Sequence, residues 1–305
     1  MTLSVCRGVP GEQVTFLVGA GRSGTTLLHK LLCLHPKIAY ISNYENRYSW
    51  FPDGLACGAI AARLDDKLSA WFDKGGNAYF IRRPWLKRLF PTPNEGESVF
   101  QACGIPLFPR PDYRPDAATV ACLRRRFEQF RRRAGAKIFL SKRTANNRRI
   151  RQLEEIFPAA RYVHLVRDGR EVAQSLSAVE WWDGHRVWWD GRTPVEMERA
   201  GEPRLAVCAR NWVREEQELQ LQLAAIDSRR VLVLRFEDLL RDPLRHLERL
   251  TQFLGVEFSS AYRRAIELLN LQPVRAKWTV EWDSRQLATV LDVLQPMLGQ
   301  LGYMD

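Results

Sequence analysis

One short stretch near the start of the 305-residue chain limits its fold more than any other part. Residues 14–18 have the β-branched and aromatic content of a central strand that is covered on both faces. A glycine-rich turn follows at residues 19–24, and leucines at helical spacing then continue to Leu34. Because glycines allow close backbone approach, successive N–H groups can converge on an anion at the helix N-terminus. The stretch therefore predicts a phosphate-binding loop between a strand and a helix.

This loop departs from the Walker A consensus at one informative position. Gly19 and Gly24 have the correct spacing, but Thr25 stands where the phosphate-binding lysine belongs. A nucleotide triphosphatase uses that lysine, together with a hydroxyl that binds magnesium, to handle the β- and γ-phosphates. In this chain the cation is Arg22, inside the turn, and the hydroxyls of Thr25 and Thr26 follow it. The loop therefore indicates a phosphate ligand other than a magnesium triphosphate.

Three later strand-like segments each precede polar or cationic side chains. These segments are residues 137–140, 162–166 and 231–234. Helical patterns separate them, which predicts a mostly parallel sheet, and the carboxyl ends of parallel strands line a ligand crevice. We expect an α/β fold of the P-loop type, with three layers (αβα), a mostly parallel central sheet and an irregular, helix-rich insertion that covers the site. Residues 1–305 are expected to form one domain, with its nucleotide-binding core at about 13–43, 136–180 and 229–305 and its insertions at about 44–135 and 181–204.

The charge of the chain suggests a polyanionic partner without selecting one. The formal charge of +11 comes from 46 Lys and Arg residues against 35 Asp and Glu residues. A basic helix is predicted at residues 117–133, with Leu123, Phe127 and Phe130 facing the core and its arginines, Arg126 among them, in solvent. This helix and the net charge are the only support for a non-enzymatic nucleic-acid-binding protein, because the helix lacks the interleaved aromatic side chains of a base-stacking surface.

The cysteines and the chain start indicate the compartment. Neither a signal peptide nor an apolar run of membrane-spanning length is present, so we expect a cytoplasmic protein without a membrane span. The cysteines are scattered singly, without metal-ligand spacing, at Cys6, Cys33, Cys57, Cys103, Cys122 and Cys208. We expect them to be reduced and to pack mostly in the core.

Taken in order, these landmarks resemble those of the sulfotransferases that use 3′-phosphoadenosine 5′-phosphosulfate (PAPS). The turn is similar to the family's 5′-phosphosulfate loop, which implies donor contacts from Gly21, Arg22, Ser23, Gly24, Thr25 and Thr26. The segment after residue 166 resembles the family's 3′-phosphate element, which implies contacts from Arg167 and Ser175. The resemblance extends over residues 16–303 as landmarks but leaves residues 50–135 uncovered.

The C-terminal part carries further landmarks of the same family. Residues 236–239, Asp242-Pro243 and residues 253–255 resemble its aromatic-Glu-Asp-Leu, Asp-Pro and Phe-Leu-Gly segments. Lys277-Trp278 and residues 301–303 are similar to the tyrosylprotein and related bacterial branch. The resemblance implies that Phe236, Lys277 and Trp278 also contact the donor. Phe236 replaces the family's more common tyrosine, and residues 143–146 depart from the family pattern after Lys142.

The resemblance also implies the roles of the catalytic residues. Arg22 and Lys142 would stabilise the negative charge that develops on the leaving phosphate. Glu45 is the first candidate for the general base, with His185 second and Asp53 third. Tryptophans bracket His185 and would form either an acceptor platform or a packed core at Trp181, Trp182, Trp188 and Trp189.

The expected reaction transfers a sulfuryl group in line, without a metal, to a hydroxyl or amine of a small-molecule, glycan or peptide acceptor. The partners are therefore PAPS, with 3′-phosphoadenosine 5′-phosphate (PAP) as product, and this acceptor; nucleic acid is not expected, and a homodimer is left open. An ATP-dependent small-molecule kinase with a degenerate P-loop is the alternative enzyme. Thr25 and the absence of a clear Walker B aspartate disfavour it, and Asp168 is the residue that tests it.

Overall fold

A parallel sheet of five strands forms the centre of the described structure, a computed structural model of residues 12–50, 64–72, 90–273 and 276–304. The strands are β1 (Val14–Val18), β2 (Ile38–Ala39), β3 (Ile138–Lys142), β4 (Arg161–Val166) and β5 (Val231–Arg235). Their order across the sheet is β2-β3-β1-β4-β5, and every pair is parallel. The strand that leads into the glycine-rich turn is therefore central, with β3 and β4 on either side.

Helices cover both faces of this sheet. In chain order they are α1 (Thr25–Cys33), α2 (Asn43–Arg47), α3 (Leu64–Trp71), α4 (Glu97–Ala102), α5 (Ala117–Arg133), α6 (Ile150–Ile156), α7 (Gly169–Ser177), α8 (Pro194–Arg199), α9 (Arg204–Leu223), α10 (Phe236–Arg241), α11 (Pro243–Leu254), α12 (Ser260–Leu269), α13 (Trp278–Glu281) and α14 (Ser284–Gln300). Short 3₁₀ turns lie at Thr144–Arg148, Glu180–Trp182 and Ser228–Arg230. Among the described residues, no helix combines the length and apolar character that a bilayer crossing requires.

Side chains along each strand point alternately to the two faces of the sheet, and a core layer lies on each face. On one face Leu17, Leu140 and Val163 pack with α1 and with α10 to α12. On the other face Phe16 and Phe139 pack with α5 and α6. Successive side chains of a strand point to opposite faces, so strands buried on both faces are apolar throughout. The predicted α/β fold of the P-loop type, with three layers and a parallel sheet, is confirmed.

The bounds of one predicted helix agree with the structure, and the later predicted strands differ by one or two residues. The helix predicted at residues 117–133 has these bounds. Strand β3 runs on through Ser141 and Lys142, because both residues pair with β1, opposite Phe16 and Leu17. Strand β2 consists of Ile38 and Ala39, and both residues pair with β3.

Two expectations about side chains are wrong. Arg126 is buried rather than solvated, and its Nη2 donates to the Ser49 carbonyl oxygen over 2.8 Å. Cys103 and Cys122 form a disulfide, with Cα atoms 5.4 Å apart, because the end of α4 packs against α5. Isolated spacing along the chain could not reveal this tertiary proximity. Cys33 and Cys208 are free and buried, as predicted, and Cys6 and Cys57 lie outside the described residues.

Candidate functional site

Three neighbouring strands end at one edge of the sheet and bring cationic side chains together there. The glycine-rich turn follows β1, Lys142 is the last residue of β3, and Arg167 follows β4 directly. Leu17 of β1 lies opposite Lys142 in the parallel register. Since β1 lies between β3 and β4, the turn has a cation-bearing strand end on each side.

The turn has the tight geometry that its glycines predicted. A Cβ at Gly19 would lie 2.4 Å from the Leu165 carbonyl oxygen, and one at Gly24 would lie 2.3 Å from the Phe236 ring. Arg22 has a φ of 71°, a left-handed conformation that is uncommon outside glycine and often marks a functional site. The first N–H groups of α1 have no intrahelical partner. The glycines therefore let the turn pack closely against Leu165 and Phe236, while the first N–H groups of α1 remain available to a ligand.

The predicted 5′- and 3′-phosphate elements contact each other directly. Arg22 Nε donates to Ser175 Oγ over 2.9 Å, and Arg167 Nη1 donates to the Arg22 carbonyl oxygen over 3.0 Å. Two buried polar atoms here, Ser23 Oγ and Arg167 Nε, have no hydrogen-bond partner within the described ranges. A ligand with several acceptor oxygens would satisfy both atoms.

Lys142 reaches the loop from the neighbouring strand. Its Nζ lies 3.4 Å from Thr26 Oγ1 and also pairs with the Glu95 carboxylate. Only 7% of the Lys142 side chain is exposed, whereas 45% of the Glu95 side chain is exposed. His29 of α1 is buried nearby, and burial, with the charges of Lys142 and Lys30, lowers its pKa from 6.5 to about 3. The lysine therefore has a neutral imidazole and one carboxylate as neighbours.

The predicted general-base candidates occupy different environments. Glu45 lies in the capping box of α2, where its Oε2 accepts from Ser42 N over 2.8 Å and from Ser42 Oγ. His185 stacks on Trp182 at 5.3 Å, and this partial burial, with the charge of Arg148, lowers its pKa. Asp53 lies outside the described residues.

The tryptophans around His185 divide between core and surface. Trp182 is 1% exposed and belongs to a core cluster, and Trp189 packs partly buried against that cluster. Trp181 is 56% exposed and Trp188 is 37% exposed. The packed-core interpretation therefore applies to Trp182 and Trp189, and the acceptor platform stays a prediction for the exposed rings.

A cavity of about 190 Å³ adjoins Arg167. Its lining comes from Arg167, Asp168, Glu171, Phe236, Glu237, Leu240, Arg241, Pro273 and Ala276. Arg167 lies 4.9 Å above the Phe236 ring, so one wall combines an aromatic face with a guanidinium. Trp278 instead stacks with Arg170, at 4.5 Å, and the Lys277 side chain is exposed.

Four further residues hold the site together, and sequence reasoning missed their roles. Glu171 accepts from Arg167 Nη2 over 3.1 Å, and burial raises its pKa despite that opposing charge. Glu237 accepts from Asp168 N and from the Tyr303 hydroxyl, which joins β4's end to the C-terminal segment. The fourth residue is Asn147, whose amide bonds both backbone polar groups of Gly19, at 3.2 and 2.9 Å. Glu237 and Tyr303 lie within motifs named above, at residues 236–239 and 301–303, whereas Glu171 and Asn147 do not.

The arrangement suits a ligand with two separated anionic groups. The turn with Arg22 and Lys142 forms one cationic region, and Arg167 beside the cavity forms a second. Across the described ranges, no group of three or more His, Cys, Asp or Glu side chains has an arrangement that could hold a metal ion. The chemistry that these residues can supply is electrostatic stabilisation of developing negative charge.

Comparisons with known proteins agree with this geometry. Curated relatives include the omega-hydroxy-beta-dihydromenaquinone-9 sulfotransferase Stf3 of Mycobacterium tuberculosis, which is 28% identical over 276 residues. The alignment covers 83% of this chain, which spans only 65% of the length of that relative.

Two solved structures show the same fold. Sulfotransferase STF9 from Mycobacterium avium has a TM-score of 0.58 at 14% identity, with 96% of this chain and 77% of that chain covered. Sulfotransferase STF1 from Mycobacterium tuberculosis has a TM-score of 0.54 at 18% identity, with 94% and 77% covered. A model described as the sulfotransferase family matches residues 15–260, a range that includes the turn and all three strand ends. The chain therefore belongs to the sulfotransferase family.

Proposed function

We propose that this protein transfers a sulfuryl group from PAPS to a hydroxyl or amine of an acceptor. One observation carries the proposal: Arg22, Lys142 and Arg167 meet around the β1 turn, in which Thr25 takes the place of the Walker lysine. Such a turn lacks the lysine for a magnesium triphosphate but retains the backbone donors for a phosphate. Family membership and the two cationic regions support a donor with phosphates at both ends of its nucleoside.

The donor's 5′ end fits the turn. The N–H groups of α1's first turn, with Arg22 and Lys142, would hold the 5′-phosphosulfate, and the unpartnered Ser23 Oγ would gain a bond there. The donor supplies a sulfuryl group already activated by its phosphate linkage. Arg22 and Lys142 would stabilise the charge left on that phosphate, and losing one such donor commonly costs about 2–4 kcal/mol in the transition state.

The 3′ end fits the second cationic region. The unpartnered Nε of Arg167 and the hydroxyl of Ser175 would bind the 3′-phosphate, and Phe236 in the cavity wall would contact adenine. A charged Glu171 carboxylate would repel this phosphate, and its pairing with Arg167 over 3.1 Å offsets that charge. Burial raises the pKa of this carboxyl. Lys277 and Trp278 also face Glu171 through their backbone N–H groups, which places that segment beside the same site.

The acceptor is proposed to carry a hydroxyl or an amine, and one relative favours the hydroxyl. The name of the relative Stf3 describes a hydroxylated menaquinone as acceptor, which implies sulfuryl transfer to a hydroxyl for that protein. In this chain the exposed rings of Trp181 and Trp188 offer an apolar surface for part of an acceptor. Small-molecule, glycan and peptide acceptors with a hydroxyl or amine all fit this proposal.

Two observations weaken the alternatives. Asp168 caps α7 and pairs with Arg170 over 2.7 Å, so it is engaged and not a free magnesium ligand as a kinase would need. On the basic helix α5, Arg126 is buried, and Arg131 and Arg132 both pair with Glu128. The arginines that suggested a nucleic-acid surface are thus partly used within the protein.

Thermal unfolding tests the proposal. The protein is heated alone, with PAP and EDTA, with ATP and magnesium, and with a mixed oligonucleotide. Because a ligand that binds the folded state raises the melting temperature, PAP without magnesium should stabilise the protein more than the others. If only ATP with magnesium, or only the oligonucleotide, raises the melting temperature, the proposal is wrong.

A further inference from the structure

A short segment between α3 and α4 lies fixed against the end of β2. We name residues 92–97 the strap. Asn43 N donates to the Thr92 carbonyl over 3.0 Å, and Thr92 N donates back to Asn43 Oδ1 over 2.9 Å. Asn94 N donates to the Ile41 carbonyl over 2.8 Å. These bonds hold the strap beside the strand ends that form the site.

The strap places carboxylates on two consecutive basic residues at the end of β3. Glu95 pairs with Lys142, and its Oε2 accepts from Thr144 N over 3.1 Å. Glu97 binds Arg143 through two guanidinium nitrogens. Gly96 between them has a φ of 74°, and a Cβ there would lie 2.3 Å from Ile41. The turn at this glycine thus fixes the direction of both carboxylates.

The two ion pairs differ in what they face. Arg143 is 1% exposed and lies 4.7 Å over the Phe100 ring, so the Glu97 pair belongs to the packing beneath the site. Lys142 reaches Thr26 of the donor loop, and Glu95 beside it keeps 45% of its side chain exposed. Glu95 can therefore meet an incoming ligand beside Lys142, whereas Glu97, with 34% of its side chain exposed, is held by the fully buried Arg143.

Glu95 also differs from the general-base candidates that the sequence suggested. Glu45 uses the Oε2 of its carboxylate within the α2 capping box. His185 packs against the rings of Trp181 and Trp182. A general base must lie within hydrogen-bond reach of the acceptor's proton, beside the reacting sulfur. Glu95 is bonded to the lysine that borders that position.

We infer that Glu95 is the general base of sulfuryl transfer, an inference that rests on the proposed function. As the acceptor oxygen bonds to sulfur, the bond from sulfur to the bridging oxygen breaks and its electron pair stays on the 5′-phosphate. The acceptor's proton passes to Glu95, which later releases it to solvent. Lys142 stabilises the phosphate charge, so the two members of the ion pair act on opposite sides of the transferred group.

The experiment compares Glu95→Gln with wild type under two acceptors. Turnover of PAPS to PAP is followed with 2-naphthol present and with water alone, and PAP affinity is measured by calorimetry. Loss of a general base typically lowers the rate by about 10²–10⁴-fold, so Glu95→Gln should lose kcat by that factor while PAP affinity stays within about threefold of wild type. The acid-side fall in kcat/KM of wild type should disappear in the variant.

Two matched variants separate proton transfer from structural support. Glu97→Gln also replaces a carboxylate of the strap with an amide. The folded variant should keep kcat within about tenfold of wild type. Glu95→Ala should regain turnover when formate is added, because a small carboxylate can take the vacant position. Glu97→Ala should show no such rescue.

The outcomes distinguish this inference from the proposed function. Wild type that does not bind PAP, or that binds PAP but consumes no PAPS with either acceptor, contradicts the proposed function. Active wild type with Glu95→Gln within about threefold of its kcat overturns the role of Glu95 alone. A fall in PAP affinity that matches the fall in rate would assign Glu95 to structure instead.

Discussion

At the scale of single residues, Arg22 combines an unusual backbone with a central position. It adopts a left-handed φ of 71°, and its side chain and carbonyl bond Ser175 and Arg167 respectively. Strained backbone of this kind persists where surrounding contacts hold it, and it clusters at functional sites. Arg22 is therefore the residue through which the two phosphate elements are joined.

Replacing Arg22 should reduce transfer more than donor binding. In the proposed reaction Arg22→Ala removes a cation that stabilises the leaving phosphate, for which we expect a loss of about 2.7–4 kcal/mol, or roughly 10²–10³ in kcat. Single-turnover kinetics with PAPS measure this directly. The alanine keeps the left-handed strain, so Arg22→Gly is the matched variant, and a rate near wild type in both would contradict the assignment.

Replacing Arg167 should chiefly weaken donor binding. Its guanidinium is buried beside the cavity, its Nε has no hydrogen-bond partner among the described residues, and hydrogen bonds to charged groups contribute about 1.5–3 kcal/mol. Arg167→Ala should therefore lower PAP affinity by roughly tenfold to a hundredfold in calorimetry. Arg229→Ala, at an exposed arginine that pairs with Asp227, is the control and should bind PAP like wild type. Equal PAP affinities in the two variants would refute the role of Arg167.

At the scale of elements, α1 carries a buried titratable group behind the donor loop. His29 is 3% exposed, and its pKa lies at about 3, below its ordinary value of 6.5. At a pH between these two values, His29 is therefore protonated in the unfolded chain but neutral in the folded protein. The contribution of His29 to the stability is fully present above pH 6.5 and is lost as pH falls towards about 3.

Substituting His29 should remove this part of the acid sensitivity. Within that window the free energy of unfolding falls by up to about 1.4 kcal/mol for each pH unit. Between about pH 7 and about pH 5, wild type should therefore lose up to about 2 kcal/mol more of its free energy of unfolding than His29→Met. Urea unfolding of both proteins at the two pH values measures the difference. An identical loss of stability in wild type and variant would show that His29 titrates as in the unfolded chain.

The strands and several helices could be predicted because the sequence pattern of each lies within one short stretch of the chain. Short apolar runs predicted the strands, the helical spacing of apolar residues predicted α5, and the motif residues of the turn follow directly on β1. The strap could not be predicted, since Glu95 meets Lys142 through turns without periodicity, across 47 positions of sequence. For the same reason, the chain pattern did not reveal that Cys103 lies against Cys122.

At the scale of the whole molecule, the sheet order explains why distant motifs form one site. The motif after β1, Lys142 of β3 and Arg167 after β4 meet because these strands are neighbours in a parallel sheet. The C-terminal segment joins them through Tyr303, which bonds Glu237 over 2.8 Å. Sequence spacing alone gave the order of these landmarks, whereas the carboxylates that orient them, Glu171 and Glu95, depend on tertiary packing.

The central claim is that this edge of the sheet binds a nucleotide with phosphates at both its 3′ and 5′ positions. Calorimetric titration in EDTA with PAP and with adenosine 5′-phosphate, which lacks the 3′-phosphate, tests it most directly. Because Arg167 and Ser175 have no phosphate to bind in the second ligand, PAP should bind at least about tenfold more tightly. Equal affinity for the two nucleotides, or no binding of PAP, would contradict the account.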